Sequence, residues 1–193
     1  LYEFGKMYFR ARKFQPSADA FRQVTNIEPD HSAAYYNMGG ALQALRKYND
    51  AANAFKSAIN IRPDYATAHY ALGQLYVRQS KLDLAKSPLE EAVRLDPGRL
   101  NARLALGSVY FNLGQYPSAE QEYLAALAMA ANRADINHNL ANTLLAKGDS
   151  LRALEYAMRA TELDNSSSLY YFPLGVVTEA VGDAALAKSS YQA

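Results

Sequence analysis

The residues of this chain best suited to metal chemistry are three histidines, His31, His69 and His138, and none has a ligand-type side chain four positions further on. A helical metal site needs two ligands on one face, so this spacing argues against one. The absence of cysteine removes disulfides, thiolate zinc sites, iron–sulfur ligation and thiol nucleophiles in one step. There is no GxxxxGK[ST] phosphate loop and no GxSxG elbow. Glu90 and Glu91 read as a solvated helix face, not as an acid–base pair. Arg10, Arg12 and Lys13 form a small basic cluster. With Asp19, Glu28 and Asp30 close by, it reads as solvated surface and not as a phosphate site. Asn165-Ser166-Ser167 has the form of a glycosylation acceptor, which matters only in a eukaryotic secretory setting. These residues point to a non-enzymatic protein that calls for no cofactor and no metal.

The elements that carry these side chains repeat. Gly5, Gly39, Gly73, Gly107, Ala141 and Gly175 are spaced by 34 residues. One position earlier stand Phe4, Met38, Leu72, Leu106, Leu140 and Leu174. Twelve positions after the glycines come Ser17, Ala51, Ala85, Ala119, Ala153 and Ala187, and four further on Phe21, Phe55, Leu89, Tyr123, Ala157 and Tyr191. A proline column, Pro29, Pro63 and Pro97, continues as Ala131 and Asn165. Each unit reads as two helices. In the second unit these cover 34–45 and 51–61, with a break at Arg46-Lys47, an N-cap at Asn49 or Asp50, and a stop at Pro63. Many of the 35 alanines fall in such columns, where small size lets two helices approach closely. Pro16 and Pro117 fall in first turns, Pro173 near the start of its helix, and Pro88 far enough inside to kink one. The chain is expected to be one all-α array with units near 1–31, 32–65, 66–99, 100–133, 134–167 and 168–193, the first and last incomplete.

The series Tyr35, Met38-Gly39, Leu42, Ala51, Phe55 and Pro63 resembles the tetratricopeptide repeat, and it recurs as His69, Leu72-Gly73, Tyr76, Ala85, Leu89 and Pro97. The resemblance covers the whole chain and implies a right-handed superhelical solenoid of antiparallel helix pairs. It further implies that the first helices line a concave groove suited to a peptide segment of a partner. On that mapping one inward column is Tyr2, Tyr36, Tyr70, Leu104, His138 and Phe172. A second contains Phe9, Gln43, Val77, Phe111, Leu145 and Glu179. Small and amide residues lie between them: Asn37, Gly40, Gln74, Asn101, Ser108, Asn139 and Asn142. Aromatic rungs offer rigid contact area, and amides can bond a ligand backbone. Two readings stand for each tyrosine, contact with a ligand or packing between adjacent repeats.

The implied partner is a protein or peptide of mixed or apolar character, bound by a scaffold or adaptor. Chaperone-binding members grip a C-terminal carboxylate with inward lysine, asparagine and arginine. Here Lys6 and Asn37 match, but Thr67 and Ala71 stand where the rest belong, so no such chaperone tail is expected. The formal charge of +1 argues against nucleic acid, and no apolar run approaches the roughly 18 residues of a membrane span. The run from Asn137 to Asn142 is similar to the asparagine ladder of the repeat arm in some glycosyltransferases, which makes a substrate-recruiting arm the alternative. Ala71, Ala105 and Pro173 interrupt that ladder. The chain opens Leu1-Tyr2-Glu3-Phe4 and ends within a helical pattern at Ala193, so it reads as a segment of a longer protein. Uncapped ends would allow self-association through Val176, Val177, Val181 and Leu186.

Overall fold

A computed structural model describes residues 1–192, apart from the side chains of Phe172, Ala184, Ala185 and Tyr191. The proposed inward side chain of Phe172 and the end at Ala193 lie outside the described residues. The chain splits into two compact units, residues 1–97 and the described residues from 98 on. Unit 1 holds the helices α1 (Tyr2–Arg10), α2 (Phe14–Ile27), α3 (Ser32–Ala44), α4 (Tyr48–Ile61), α5 (Ala66–Arg78) and α6 (Leu82–Leu95). Unit 2 holds α7 (Leu100–Asn112), α8 (Tyr116–Met129), α9 (Ala134–Lys147), α10 (Ser150–Leu163), α11 (Ser168–Val181) and α12 (Ala184–Gln192). Short turns fold consecutive helices into antiparallel pairs, an all-α repeat architecture. No helix among the described residues is long and apolar enough to cross a membrane.

One backbone device makes every turn inside a pair. Arg12, Arg46, Ser80, Gly114, Gly148 and Gly182, again 34 apart, all take positive φ between 57° and 89°. The next residue then donates its N–H to a carbonyl five positions back, as Lys47 does to Leu42 at 2.9 Å and Asp149 to Leu144 at 2.9 Å. This is the Schellman closure, which satisfies the last orphan carbonyls of the first helix. It also starts the second helix earlier than the side chains suggest. The N-cap of α4 is Lys47, without a side-chain cap bond, and Asn49 and Asp50 sit in its first turn. Between pairs the chain is drawn out at Glu28, Arg62 and Asp96, each before a proline. Ala130 and Asp164 take nearly the same angles without one, so the proline favours this joint but is not required for it.

Within each pair the glycine column meets the large column. A Cβ on Gly5, Gly39, Gly73 or Gly107 would stand only 2.5–2.8 Å from the Phe21 ring, the Phe55 ring, Leu89 and the Tyr123 ring respectively. No side chain fits there, so glycine is what lets the ring of the second helix press against the backbone of the first. In the fifth pair both partners change together: Ala141 replaces glycine and Ala157 replaces the ring, and both are buried beside Leu174. The alanine column lies at the same level and is fully buried from Ala51 to Ala153. In the first pair Ser17 takes this place and its hydroxyl donates to the Gly5 carbonyl at 2.8 Å.

Two expectations need correction. Pro173 is the sixth residue of α11, not a first-turn residue, so its missing N–H leaves one bond of the helix interior unmade. Val177 is fully buried in a cluster with Tyr123, Leu140 and Leu144, so it is not available to pack on another copy. The helix α6 runs over Leu82–Leu95 with Pro88 inside it.

Two sets of variants test these contacts. Gly39→Ala should destabilise the protein by about 1–3 kcal/mol through overlap with Phe55. Adding Phe55→Ala should cost less than the two single changes summed, measured as a double-mutant cycle in urea; strict additivity would contradict the contact. Gly148→Ala should lower stability by about 1–2 kcal/mol because it forces an L side chain into the left-handed region. Arg46→Gly should raise the melting temperature of unit 1 for the same reason.

Candidate functional site

The first helices of unit 1 present a mixed aromatic and amide face, and a cavity of about 320 Å³ opens on it. Its floor is made by the Phe21 and Phe55 rings, the same rings that press on Gly5 and Gly39. Its sides are Phe9, Tyr36, Asn37, Gln43 and Ala71, with Lys6 and Arg10 beside them. Gly40 lies between Phe9 and Gln43 and differs in kind from its neighbour Gly39. A Cβ on Gly40 would meet only the edge of Phe9, at 3.8 Å, which is ordinary contact. Packing thus demands glycine at 39 and not at 40, while a mid-helix glycine costs about 1 kcal/mol relative to alanine. A second cavity of about 460 Å³ shares Phe9, Gly40 and Gln43 and continues to Arg46, Tyr48 and Arg78.

The inward tyrosines of the first two repeats pack between repeats, and one of them also lines the cavity. Tyr2 stacks on His31 with ring centroids 4.8 Å apart and meets Phe21 edge-on at 5.6 Å. Its hydroxyl accepts a 2.7 Å hydrogen bond from Nδ2 of Asn37. Tyr36 packs in the same way on Tyr65, at 5.2 Å, and on Phe55, at 5.8 Å. His31 and Tyr65 are the N-caps of α3 and α5, so Tyr2 and Tyr36 each hold the start of the next repeat. Burial pushes the Tyr65 phenol up, and the guanidinium of Arg62, 3.3 Å above its ring, opposes that in part. Tyr2 is therefore an inter-repeat strut, and Tyr36 is both a strut and a wall of the cavity. Tyr70 and Gln74 are half-buried on α5 and do not line this cavity.

In unit 2 the corresponding residues are drawn into packing. Leu104 and Phe111 lie against the cluster of Ala119, Tyr123, Leu140 and Leu144, and Phe111 also meets Tyr116 at 5.7 Å. Burial pushes the Tyr123 phenol up to about 12. Asn101 is exposed at the start of α7, and Asn139 is half-buried on α9. Asn142 donates through Nδ2 to Nε2 of His138 at 3.0 Å, and the His138 ring meets Tyr170 at 5.4 Å. That bond places the imidazole proton on Nδ1, which is buried without a hydrogen-bond partner. Burial holds the His138 pKa below its ordinary value. The other histidines also have local partners: His31 Nδ1 accepts from the Ala34 N–H at 3.2 Å, and His69 Nε2 lies 2.9 Å from the Pro63 carbonyl.

Of the sequence-predicted inward residues, the cavity joins Phe9, Tyr36, Asn37, Gly40 and Gln43 and leaves the others apart. Sequence reasoning missed Arg10, read as solvated surface. It stands one helical turn after Lys6, a spacing that could have placed the two on the same face. It also missed Phe21 and Phe55 as floor, because their column was assigned wholly to the core.

The chain matches a tetratricopeptide repeat family profile over residues 70–136 and 104–168, and a TPR repeat profile over 44–80. No curated protein matches it. Among solved structures it is similar to YrrB, described as a TPR protein with an unusual peptide-binding site. The identity there is 21%, covering 88% of this chain and 87% of that one, with a TM-score of 0.81. MamA from Desulfovibrio magneticus RS-1 is 18% identical over 83% of this chain and 91% of its own, with a TM-score of 0.78. PilF from Pseudomonas aeruginosa is 17% identical over 97% and 86%, with a TM-score of 0.74.

The buried imidazole sets a pH dependence. The unfolded chain takes up a proton near 6.5, before the folded His138 does, so stability is lost as the pH falls below that value. The melting temperature should drop between about pH 7 and pH 5, and drop less in His138→Gln. Equal losses in both proteins would remove His138 from this role.

Proposed function

The chain belongs to the tetratricopeptide repeat family, and on that premise we propose that it is a non-catalytic scaffold that holds a peptide segment of a partner protein in the cavity of unit 1. Proteins of this family are generally interaction modules, not enzymes. The observation that carries the reading is Gly40. It weakens α3 without any packing need, and the missing side chain is what keeps the cavity open between Phe9, Tyr36 and Gln43. A cavity of about 320 Å³ with aromatic walls suits an apolar side chain, and Asn37 and Gln43 offer amide groups to the ligand backbone. The peptide-binding site in the description of YrrB is consistent with this use of the fold. The recruiting-arm alternative draws on an asparagine ladder, which Ala71, Ala105 and Pro173 interrupt.

Gly40→Leu separates binding from folding. Leucine has the higher helix propensity, so the melting temperature should be unchanged or raised. The leucine side chain should fill the cavity and abolish binding of labelled decapeptides that carry one Phe, Leu or Ile, followed by fluorescence polarisation. Undiminished peptide binding by the folded variant would refute the cavity as the site.

A further inference from the structure

Charge is divided unevenly over the molecule. Unit 1 carries 13 Lys and Arg against 10 Asp and Glu, a net +3, while unit 2 carries 7 against 9, a net −2. Within unit 1 the division is sharper. The first helices α1, α3 and α5 contain a single carboxylate, Glu3, and the other nine acids stand on the second helices or in the loops between elements. The two contiguous cavities are lined by four cations, Lys6, Arg10, Arg46 and Arg78, and by no carboxylate.

Three of these four cations have no carboxylate partner among the described residues, as is also true of Arg12, Lys13, Lys47, Lys56, Arg62 and Lys81. On the second helices Arg22 is bridged to Asp19 at 2.9 Å and Arg94 to Glu91 at 2.5 Å. Lys6 is held by Glu3 at 3.1 Å, but Arg10, Arg46 and Arg78 form no salt bridge among the described residues. Guanidinium groups beside an apolar cavity and without internal counter-charges favour a ligand that brings the counter-charge with it.

We propose that the groove of unit 1 selects an acidic-apolar peptide, in which an aromatic or branched aliphatic side chain enters the cavity floored by Phe21 and Phe55 while flanking Asp or Glu residues meet Arg10, Arg46 and Arg78. This rests on the groove reading above and adds the ligand's chemistry to it. It differs from a carboxylate clamp, because the charge lies along the ligand and no terminal carboxylate is required. A phosphate backbone is the less fitting occupant: a net +3 on the unit is small for a polyanion, and the cavity floored by Phe21 and Phe55 is walled mainly by apolar side chains.

Fluorescence polarisation on the intact chain tests this with fluorescein-labelled decapeptides. GSDEFIDEGS should bind, GSNQFINQGS should bind about tenfold more weakly, and the preference should shrink as NaCl rises from about 50 to about 500 mM. Arg10→Gln/Arg46→Gln should weaken the acidic peptide by about fivefold or more and reduce the ratio of acidic to neutral affinity, with the melting curve retained. Equal binding of both peptides, lost in Gly40→Leu, would overturn the charge preference and keep the groove. Failure of every peptide to bind would overturn both. Tighter binding of GSDEGSDEGS, or of an oligothymidylate about 12 nucleotides long, than of GSDEFIDEGS would overturn the acidic-apolar assignment in favour of a general anion surface.

Discussion

Each of the first four helix pairs is set by one contact, in which a large side chain of the second helix presses on a glycine of the first. The contact fixes how closely the two backbones approach, and other features follow from that distance. A small residue, serine in the first pair and alanine in the next three, must occupy the facing level, since a larger side chain would push the helices apart. The turn must be short and must reverse the chain at once, which the left-handed residue of the Schellman closure does. The pair then exposes an apolar face of its own, and Phe21 and Val24 of one pair cover Ala34 and Met38 of the next.

The cavity of unit 1 is a by-product of the same contact. Phe21 and Phe55 are less than 2% exposed as residues, yet both line the cavity, so the rings that press on the glycines also bound it. Site and core therefore share atoms. This explains why the inward tyrosines are less separable from stability than their positions suggest. Tyr36 touches Phe55 and the N-cap Tyr65, so its removal would disturb the joint between repeats as well as the wall. Gly40 is the position where the two roles come apart.

Much of the fold was legible because the signals were local and repeated. The spacing of 34, the glycine and alanine columns and the breaks at Arg46-Lys47 all correspond to observed elements. The errors arose where backbone geometry replaced side-chain chemistry. Asn49 and Asp50 are good caps, but the left-handed Arg46 starts α4 at Tyr48 before they are reached. Arginine gives no sign of a left-handed turn, whereas Gly114, Gly148 and Gly182 at the equivalent places do. The site was harder to read, because inward position alone does not separate a strut such as Tyr2 from a wall such as Tyr36. That distinction depends on what stands at the start of the following repeat, and Leu104 and Phe111 are likewise absorbed into packing by neighbours far along the chain.

The exchange of glycine and ring for two alanines in the fifth pair bears on how such an array can be shuffled. What changes there is a couple, a position on the first helix and its partner sixteen residues later: a small residue faces a small one where elsewhere a glycine faces a large one. A genetic crossover in the joint between pairs keeps every such couple intact. A crossover in the turn inside a pair would join a glycine helix to an alanine one and leave a void, or an alanine helix to a ring and create a clash. The natural unit of duplication and recombination in this molecule is therefore the whole hairpin, with its boundaries in the extended joints at Glu28, Arg62 and Asp96, Ala130 and Asp164.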